Sequence, residues 1–411
     1  MNYRVVFYSP DRHIVYNGRT PFEVGVGGGI TARVRMSRAL ARLGHEVVMV
    51  ANCPRHEWID AVEYVPLDDV RRLEGDVFIA NTSGGGYDLS SLPGVRLEFV
   101  MQIVWTSGTA RPRGLEHSRI DLIYAKSNFL RGVVRGEWQV PFVPIFVAYN
   151  GFEESLFDEA ERCALVREPH RLVYFSHPSK GLEAAIDVSR RLREVDPRFH
   201  LVVFGGPRLW GEREGALPGA DGVDYRGLIG QGELAAELLR CSFSLHLQSR
   251  LEPFGMALTE AMRAGLIALA SPVGAHPEIV RDKVDGLLVE GDVASPAAAG
   301  TAADRILELF DRPERLDLIR AAARHVPWSS DLMARVWTDH WSWWIGRGRG
   351  ASMNPMRYGP HRCADCAGGI IILADGGHCM QCGLYARLKD PIEEALSSEA
   401  GELIPNLNLR L

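Results

Sequence analysis

Glu252-Pro253-Phe254-Gly255-Met256-Ala257-Leu258-Thr259-Glu260-Ala261-Met262 lies between two short apolar runs, Phe243-Ser244-Leu245-His246-Leu247 and Ile267-Ala268-Leu269-Ala270. Both runs have the length and composition of buried strands, and the stretch between them continues into a helical segment, Thr259 to Arg263, closed by Gly265. Strand, loop, helix and strand in that order form the unit of a parallel sheet covered by helices. Pro253 disfavours helix at the residue before it, so Glu252 belongs to the loop. Gly255 permits close approach of backbone to a ligand, and the amides after it open a helix whose N-terminus favours phosphate.

The same alternation extends outward in both directions. Upstream, Arg171 to Phe175 reads as a strand, residues 181–194 as a helix and Leu201 to Gly206 as a further strand. Before these, Arg4 to Ser9, Val47 to Ala51, Val77 to Ala80, Leu97 to Val104 and Leu122 to Ala125 are strand candidates, with a glycine-rich turn and a helix from Ile30 to Leu43 after the first. With 411 residues the chain exceeds one ordinary core. The fold class expected is α/β: two Rossmann-like domains, residues 1–165 and 166–328, with a cleft between them. Residues 329–346 are expected to form a helix that carries Trp337, Trp341 and Trp344 at helical spacing, with Trp343, a stripe that reads as packing. Residues 347–360 read as a linker and 361–411 as a small separate module with a polar tail.

A hydrophobic fraction of 46% and a charged fraction of 24% are those of a folded globular protein, and a formal charge of −6 gives no reason to expect nucleic acid as the ligand. The first residues run directly into a strand without a signal-peptide pattern, and no apolar stretch is long enough to cross a bilayer, so a cytoplasmic location is expected.

The two glutamates of the opening segment can divide the binding of a ligand between them, one holding sugar hydroxyls and the other a ribose, with a diphosphate on the backbone amides in between. The segment closely resembles retaining glycosyltransferases of family 4, whose pattern is two glutamates separated by seven residues within Glu-x-Phe-Gly-x-x-x-x-Glu-Ala-Met. Val273 to Val280 and Asp285 to Val289 look like that family's downstream elements; Gly27-Gly28-Gly29-Ile30 and Arg38 to Val47 look like its N-terminal loop and first helix. Trp328 and the helix after it look like the segment that crosses back to the first domain. The resemblance covers roughly residues 1–346 and implies a GT-B fold, a nucleotide-sugar donor held mainly by the second domain and an acceptor received by the first.

On this resemblance Glu252 and Lys180 are the catalytic residues, and Gly28, Gly29, Lys180, Glu252, Phe254, Gly255, Met256, Ala257 and Glu260 bind the donor. Lys180 is implied as the cation that stabilises the leaving nucleoside diphosphate. The family commonly has an arginine five residues before this lysine, where the chain has Phe175; Arg250 and His177 are the candidate substitutes. No Asp-x-Asp triplet occurs, so phosphate charge falls to protein groups and no catalytic metal is expected. The histidine many relatives carry after the fourth strand has no counterpart in Trp105-Thr106-Ser107-Gly108. Arg111, Arg113, His117 and Arg119 nearby read either as an anion-binding group or as a solvated loop face.

Cys363-Ala-Asp-Cys366 and Cys379-Met-Gln-Cys382, twelve residues apart, have the spacing of a four-thiolate zinc ribbon. Zinc there would be structural, since protein fills all four positions; iron in the same ligand set is the alternative. Such a module binds protein, the acceptor or the catalytic domain itself, and its low positive charge disfavours nucleic acid. Two rivals to transfer remain at this level: a nucleotide-sugar epimerase of the same fold, and a noncatalytic sugar-nucleotide sensor or assembly protein.

Overall fold

The computed structural model describes residues 2–81, 89, 96–115, 119–293 and 295–348, together with 370–373, 376–379 and 385–387. In the first part of the chain β1 (Arg4–Tyr8), α1 (Thr20–Glu23), α2 (Gly28–Arg42), β2 (Glu46–Ala51), β3 (Glu57–Ile59), β4 (Val62–Pro66), β5 (Arg72–Asn81), β6 (Arg96–Trp105), β7 (Leu122–Ala125), α3 (Asn128–Glu137), β8 (Ile145–Val147) and α4 (Glu154–Glu161) follow in order. Their strands make one eight-stranded sheet, β3-β4-β2-β1-β5-β6-β7-β8, parallel throughout except for the β3–β4 pair. Central strands of such a sheet are covered on both faces, which is why β1 is apolar at consecutive positions, with Val5, Val6 and Phe7 all buried.

The second part comprises β9 (Arg171–Ser176), α5 (Leu182–Val195), β10 (His200–Gly205), β11 (Val223–Gly227), α6 (Gln231–Arg240), β12 (Phe243–His246), α7 (Met256–Arg263), β13 (Ile267–Ala270), α8 (His276–Ile279), β14 (Leu287–Leu288), α9 (Pro296–Phe310), α10 (Pro313–Arg324) and α11 (Ser330–Gly348). It holds a six-stranded parallel sheet ordered β11-β10-β9-β12-β13-β14. The expected α/β architecture with two parallel sheets is therefore present. One boundary differs: α7 starts at Met256 rather than Thr259, because Gly255 adopts a φ of +104° as the residue before the helix and releases the chain into helix three residues earlier.

The chain crosses between the sheets twice at one place. Phe152 bridges Ser329, with Phe152 N donating to Trp328 O at 2.9 Å and Ser330 N donating to Phe152 O at 2.8 Å. After the first crossing α4 packs on α6, and Arg263 pairs with Glu154, Asp158 and Glu161 of α4. After the second, α11 returns to pack on α2. Its tryptophans are core: Trp337 and Trp341 are fully buried, Trp337 against Phe7, Trp105 and Tyr124. Removing either ring should cost about 3–5 kcal/mol.

Among the described residues no helix is long and apolar enough to cross a membrane. Near the C-terminus β15 (Ile370–Leu373), β16 (Gly376–Cys379) and β17 (Tyr385–Arg387) form a three-stranded antiparallel sheet. Cys379 ends β16; Cys363, Cys366 and Cys382 lie outside the described residues, as does His117.

Candidate active site

A cavity of about 560 Å³ lies where the carboxyl ends of the two sheets face each other, and both domains line it. Ligands of parallel α/β sheets bind at that end because strand termini and helix N-termini converge there.

From the second domain, the loop after β9 carries Lys180 and the loop after β12 carries Glu252. Lys180 Nζ lies 2.7 Å from Glu252 Oε2, and Gln248 Nε2 donates to the same oxygen at 3.2 Å. The backbone of Glu252 is fixed by Gly274, whose φ is +60° and whose Cβ, were one present, would lie 2.3 Å from Glu252 O and 2.5 Å from Glu252 N. No other residue fits that approach. Burial alone would raise the Glu252 carboxyl, but Lys180, His276 and the two hydrogen bonds outweigh it and bring its pKa down to about 2. The carboxylate is thus ionised at every physiological pH and already paired with its cation.

Two helices present unbonded amides to the same space. Gly255, Met256 and Ala257 line the cavity at the start of α7, and Gly28 and Gly29 line it at the start of α2. The first amides of a helix have no intrahelical acceptor, so both termini offer donors and positive dipole ends to an anion. Phe254 lies beneath, buried against Tyr149 and Trp328. Glu260 also lines the cavity, and its Oε1 sits 2.6 Å from Arg35 Nη2 of the first domain, an ion pair that spans the cleft.

The two candidate substitutes for the absent arginine differ. His177 stacks on Trp210 at 3.7 Å and is bonded to Ser179 and Glu212; burial, with Lys180 and Arg250 against the pull of Glu212, lowers its pKa, so it is neutral at pH 7. Arg250 is exposed, lines the cavity and sits 4.9 Å above the Trp210 ring, with no ion-pair partner among the described residues. Phe175 itself is buried against His246.

The first domain contributes what the sequence left blank. Ser107, Gly108, Thr109, Ala110, Lys126 and Asn150 line its wall. Lys126 follows β7 directly, is 3% exposed, donates to Ser107 Oγ at 2.9 Å and lies 4.4 Å over the Trp105 ring. Burial first, then the nearby Arg33, bring its pKa down to about 7 against the opposing charges of Asp11 and Glu252. The basic residues singled out on this side lie elsewhere: Arg111 donates to Trp138 O at 2.7 Å and Arg119 faces Asp121 at 3.8 Å, and neither lines the cavity. Next to Lys126, Ser127 caps α3 and donates to Pro253 O at 2.7 Å, while Glu278 accepts from the amides of Asn128 and Phe129. Both contacts join the first domain to the loops that hold Glu252.

Known proteins resemble this chain in part of its sequence and in its fold. The family model of glycosyl transferases group 1 matches residues 173–325. A D-inositol 3-phosphate glycosyltransferase of Streptomyces scabiei is 34% identical over 150 residues, 34% of this chain and 33% of the relative. That of Mycobacterium tuberculosis is 32% identical over 194 residues, 44% of this chain and 40% of the relative. The chain thus spans about a third to two fifths of the length of the curated relatives it matches. Among solved structures, sucrose-phosphate synthase from Thermosynechococcus elongatus superposes with a TM-score of 0.62 at 17% identity, over 84% of this chain and 99% of that one. AviGT4, a glycosyltransferase involved in avilamycin A biosynthesis, gives 0.57 at 18% identity over 84% and 98%. Anabaena HepE in complex with UDP-glucose gives 0.54 at 16% identity over 85% and 100%. At such identities the likeness is one of fold. Residues 173–325 accordingly match the glycosyl transferases group 1 model, and the two-sheet arrangement of the chain is the GT-B-like fold of these solved structures.

Proposed function

We propose that the protein is a retaining glycosyltransferase that takes a sugar from a nucleotide-sugar donor and passes it to an acceptor hydroxyl without a divalent metal. The observation that carries this reading is the Lys180–Glu252 pair, 2.7 Å apart, between two helix N-termini in the interdomain cavity. Negative charge developing on a departing diphosphate meets Lys180, the amides of α7 and α2, and Arg250, which takes the place of the absent arginine. These groups are already oriented, so little reorganisation is needed as the bond breaks. Glu252 holds sugar hydroxyls, and the departing phosphate oxygen accepts the acceptor proton on the same face, so configuration is retained. Closure of the domains excludes water and limits donor hydrolysis. The relatives named for inositol phosphate transfer support an acceptor of the polyol class.

A binding-only reading rests on Phe175, which leaves that position without charge. Incubating the purified protein with UDP-, GDP- and ADP-sugars in the presence of EDTA and measuring nucleoside diphosphate release separates the two. Release from one donor, lost in Glu252→Ala and Lys180→Ala, supports transfer. Donor binding with every sugar intact, candidate acceptors included, supports the sensor.

For the C-terminal module we propose a structural zinc on Cys363, Cys366, Cys379 and Cys382. The paired spacing and the antiparallel sheet from Ile370 to Arg387 support it. Elemental analysis of the purified protein should find about one zinc per chain, lost in Cys379→Ser/Cys382→Ser.

A further inference from the structure

Four neighbouring parallel strands end towards the same wall of the cavity; three deliver a polar side chain that lines it, Ser107, Lys126 and Asn150, and the fourth places Asn81 behind Ser107. Asn81 ends β5, Ser107 follows β6 by two residues, Lys126 follows β7 directly and Asn150 lies three residues beyond β8. Asn81 Nδ2 reaches Ser107 Oγ at 3.3 Å, and Lys126 Nζ reaches the same oxygen at 2.9 Å, so three of the four form one connected group.

This group is incomplete. Lys126 is 3% exposed, yet it has no carboxylate within ion-pair distance among the described residues, in contrast to Lys180 on the opposite wall. An ammonium has three protons to donate, and one is used on Ser107. Asn81 Oδ1 and Asn150 Oδ1, both on buried residues, accept no hydrogen bond. Buried polar groups of a native protein are ordinarily satisfied, and a charge left without a counter-ion is costly. A buried lysine without a carboxylate partner, beside the unused Asn150 oxygen on the wall of a cavity, is the complement of a ligand that brings both an anion, which restores the charge that burial disfavours, and a hydroxyl donor.

The donor is not that ligand on the geometry above. Its diphosphate is served by Lys180, Arg250 and two helix N-termini, whereas Lys126 lines the cavity from the first domain. Lys180 is paired with Glu252 on the second domain, and Lys126 lines the same cavity from the first.

We infer that Lys126 binds an anionic group on the acceptor, so that the protein glycosylates a polyhydroxylated compound carrying a phosphate or a carboxylate. The inference rests on the cleft being a nucleotide-sugar site. Lys126 takes the anion, with Ser107 and Asn81 holding the ammonium in place, and Asn150 accepts from an acceptor hydroxyl. The bulk charge of the protein does not forecast this preference, because one desolvated lysine, charged as the anion binds, decides it.

Calorimetric titration tests it on the full chain. UDP, GDP and ADP are titrated first into wild type, Lys126→Met and Lys126→Arg; the protein saturated with the nucleotide it binds is then titrated with D-inositol 3-phosphate, D-glucuronate and neutral myo-inositol. The expected result is nucleotide affinity equal within twofold in all three proteins. Wild type should bind one of the two anionic probes at least tenfold more tightly than myo-inositol. Lys126→Met should lose that discrimination and Lys126→Arg should keep most of it. The phosphate and carboxylate arms show which anion is meant. A tenfold loss of nucleotide affinity in Lys126→Met would place the lysine on the donor and overturn the inference. So would equal binding of charged and neutral probes, or discrimination that survives Lys126→Met. Failure of wild type to bind any nucleotide would sink the donor-cleft reading and this inference with it, an outcome distinct from the others. Melting curves of both variants confirm that they are folded.

Discussion

The two walls of the cavity treat a lysine in opposite ways. On the second domain Lys180 is paired at 2.7 Å with a carboxylate that is itself held by Gln248 and fixed from behind by Gly274. On the first domain Lys126 is more deeply buried and has only a hydroxyl and an aromatic face for company. A paired cation is preorganised and costs the resting fold little; an unpaired one is held at the fold's expense until a ligand arrives. On the function proposed above, the difference separates a wall that stabilises charge appearing during a reaction from a wall that receives charge coming with a substrate.

The strongest way to break this contrast is to remove the paired wall. Glu252→Ala and Lys180→Ala should each lower the rate of sugar release on the order of 10²–10³-fold, measured as nucleoside diphosphate production at saturating donor. A loss below tenfold for both would mean that the pair is structural. Gly274→Ala comes next: its Cβ would meet the Glu252 backbone at 2.3 Å and its φ of +60° strains a side chain, so urea unfolding should show a loss of about 2–4 kcal/mol.

Lys126→Met should do the reverse and stabilise the free protein, by about 1–3 kcal/mol at pH 7. The sign follows from its folded pKa of about 7, below the unfolded value of 10.5. Between those values the unfolded chain binds the proton and the folded one does not, so wild-type stability rises with pH across that window. The advantage of the variant should therefore shrink as melting is repeated from pH 7 towards pH 9.5. A pH-independent difference would mean that the lysine is not held at the fold's expense. The smallest effect is expected at the seam between the walls: Ser127→Ala removes the α3 cap and the bond to Pro253 O and should cost about 1 kcal/mol in the same unfolding assay.

The same contrast explains what was legible in the sequence. The paired wall lies on loops punctuated by Pro253, Gly255 and Gly265, whose backbone demands are local, and its two glutamates sit in a pattern that resembles a known family's. The sheets were readable because buried parallel strands are continuous apolar runs. The β3–β4 hairpin was not, because its turn puts Asp60 and Ala61 at positive φ, where glycine or asparagine would have announced it. Lys126 was invisible for a different reason. A lysine after an apolar strand is ordinarily a solvated end, and its burial follows from Trp105 on the neighbouring strand and from the approach of the second domain, neither of which is adjacent in sequence. Arg111 and Arg119 drew attention because they cluster in the chain, yet they are spent on Trp138 and Asp121.

The Arg35–Glu260 pair has a consequence for the order of events. It is among the contacts that draw the two domains together across the cleft, and Glu260 is also the carboxylate assigned to the ribose. A nucleotide that recruits Glu260 competes with Arg35 for it, so arrival of the donor loosens one tether between the domains as it forms its own contacts. When the spent nucleotide begins to leave, Arg35 is waiting at hydrogen-bond distance to reclaim the carboxylate. On the proposed function, release is then a displacement by an internal competitor, and the protein carries its own eluent.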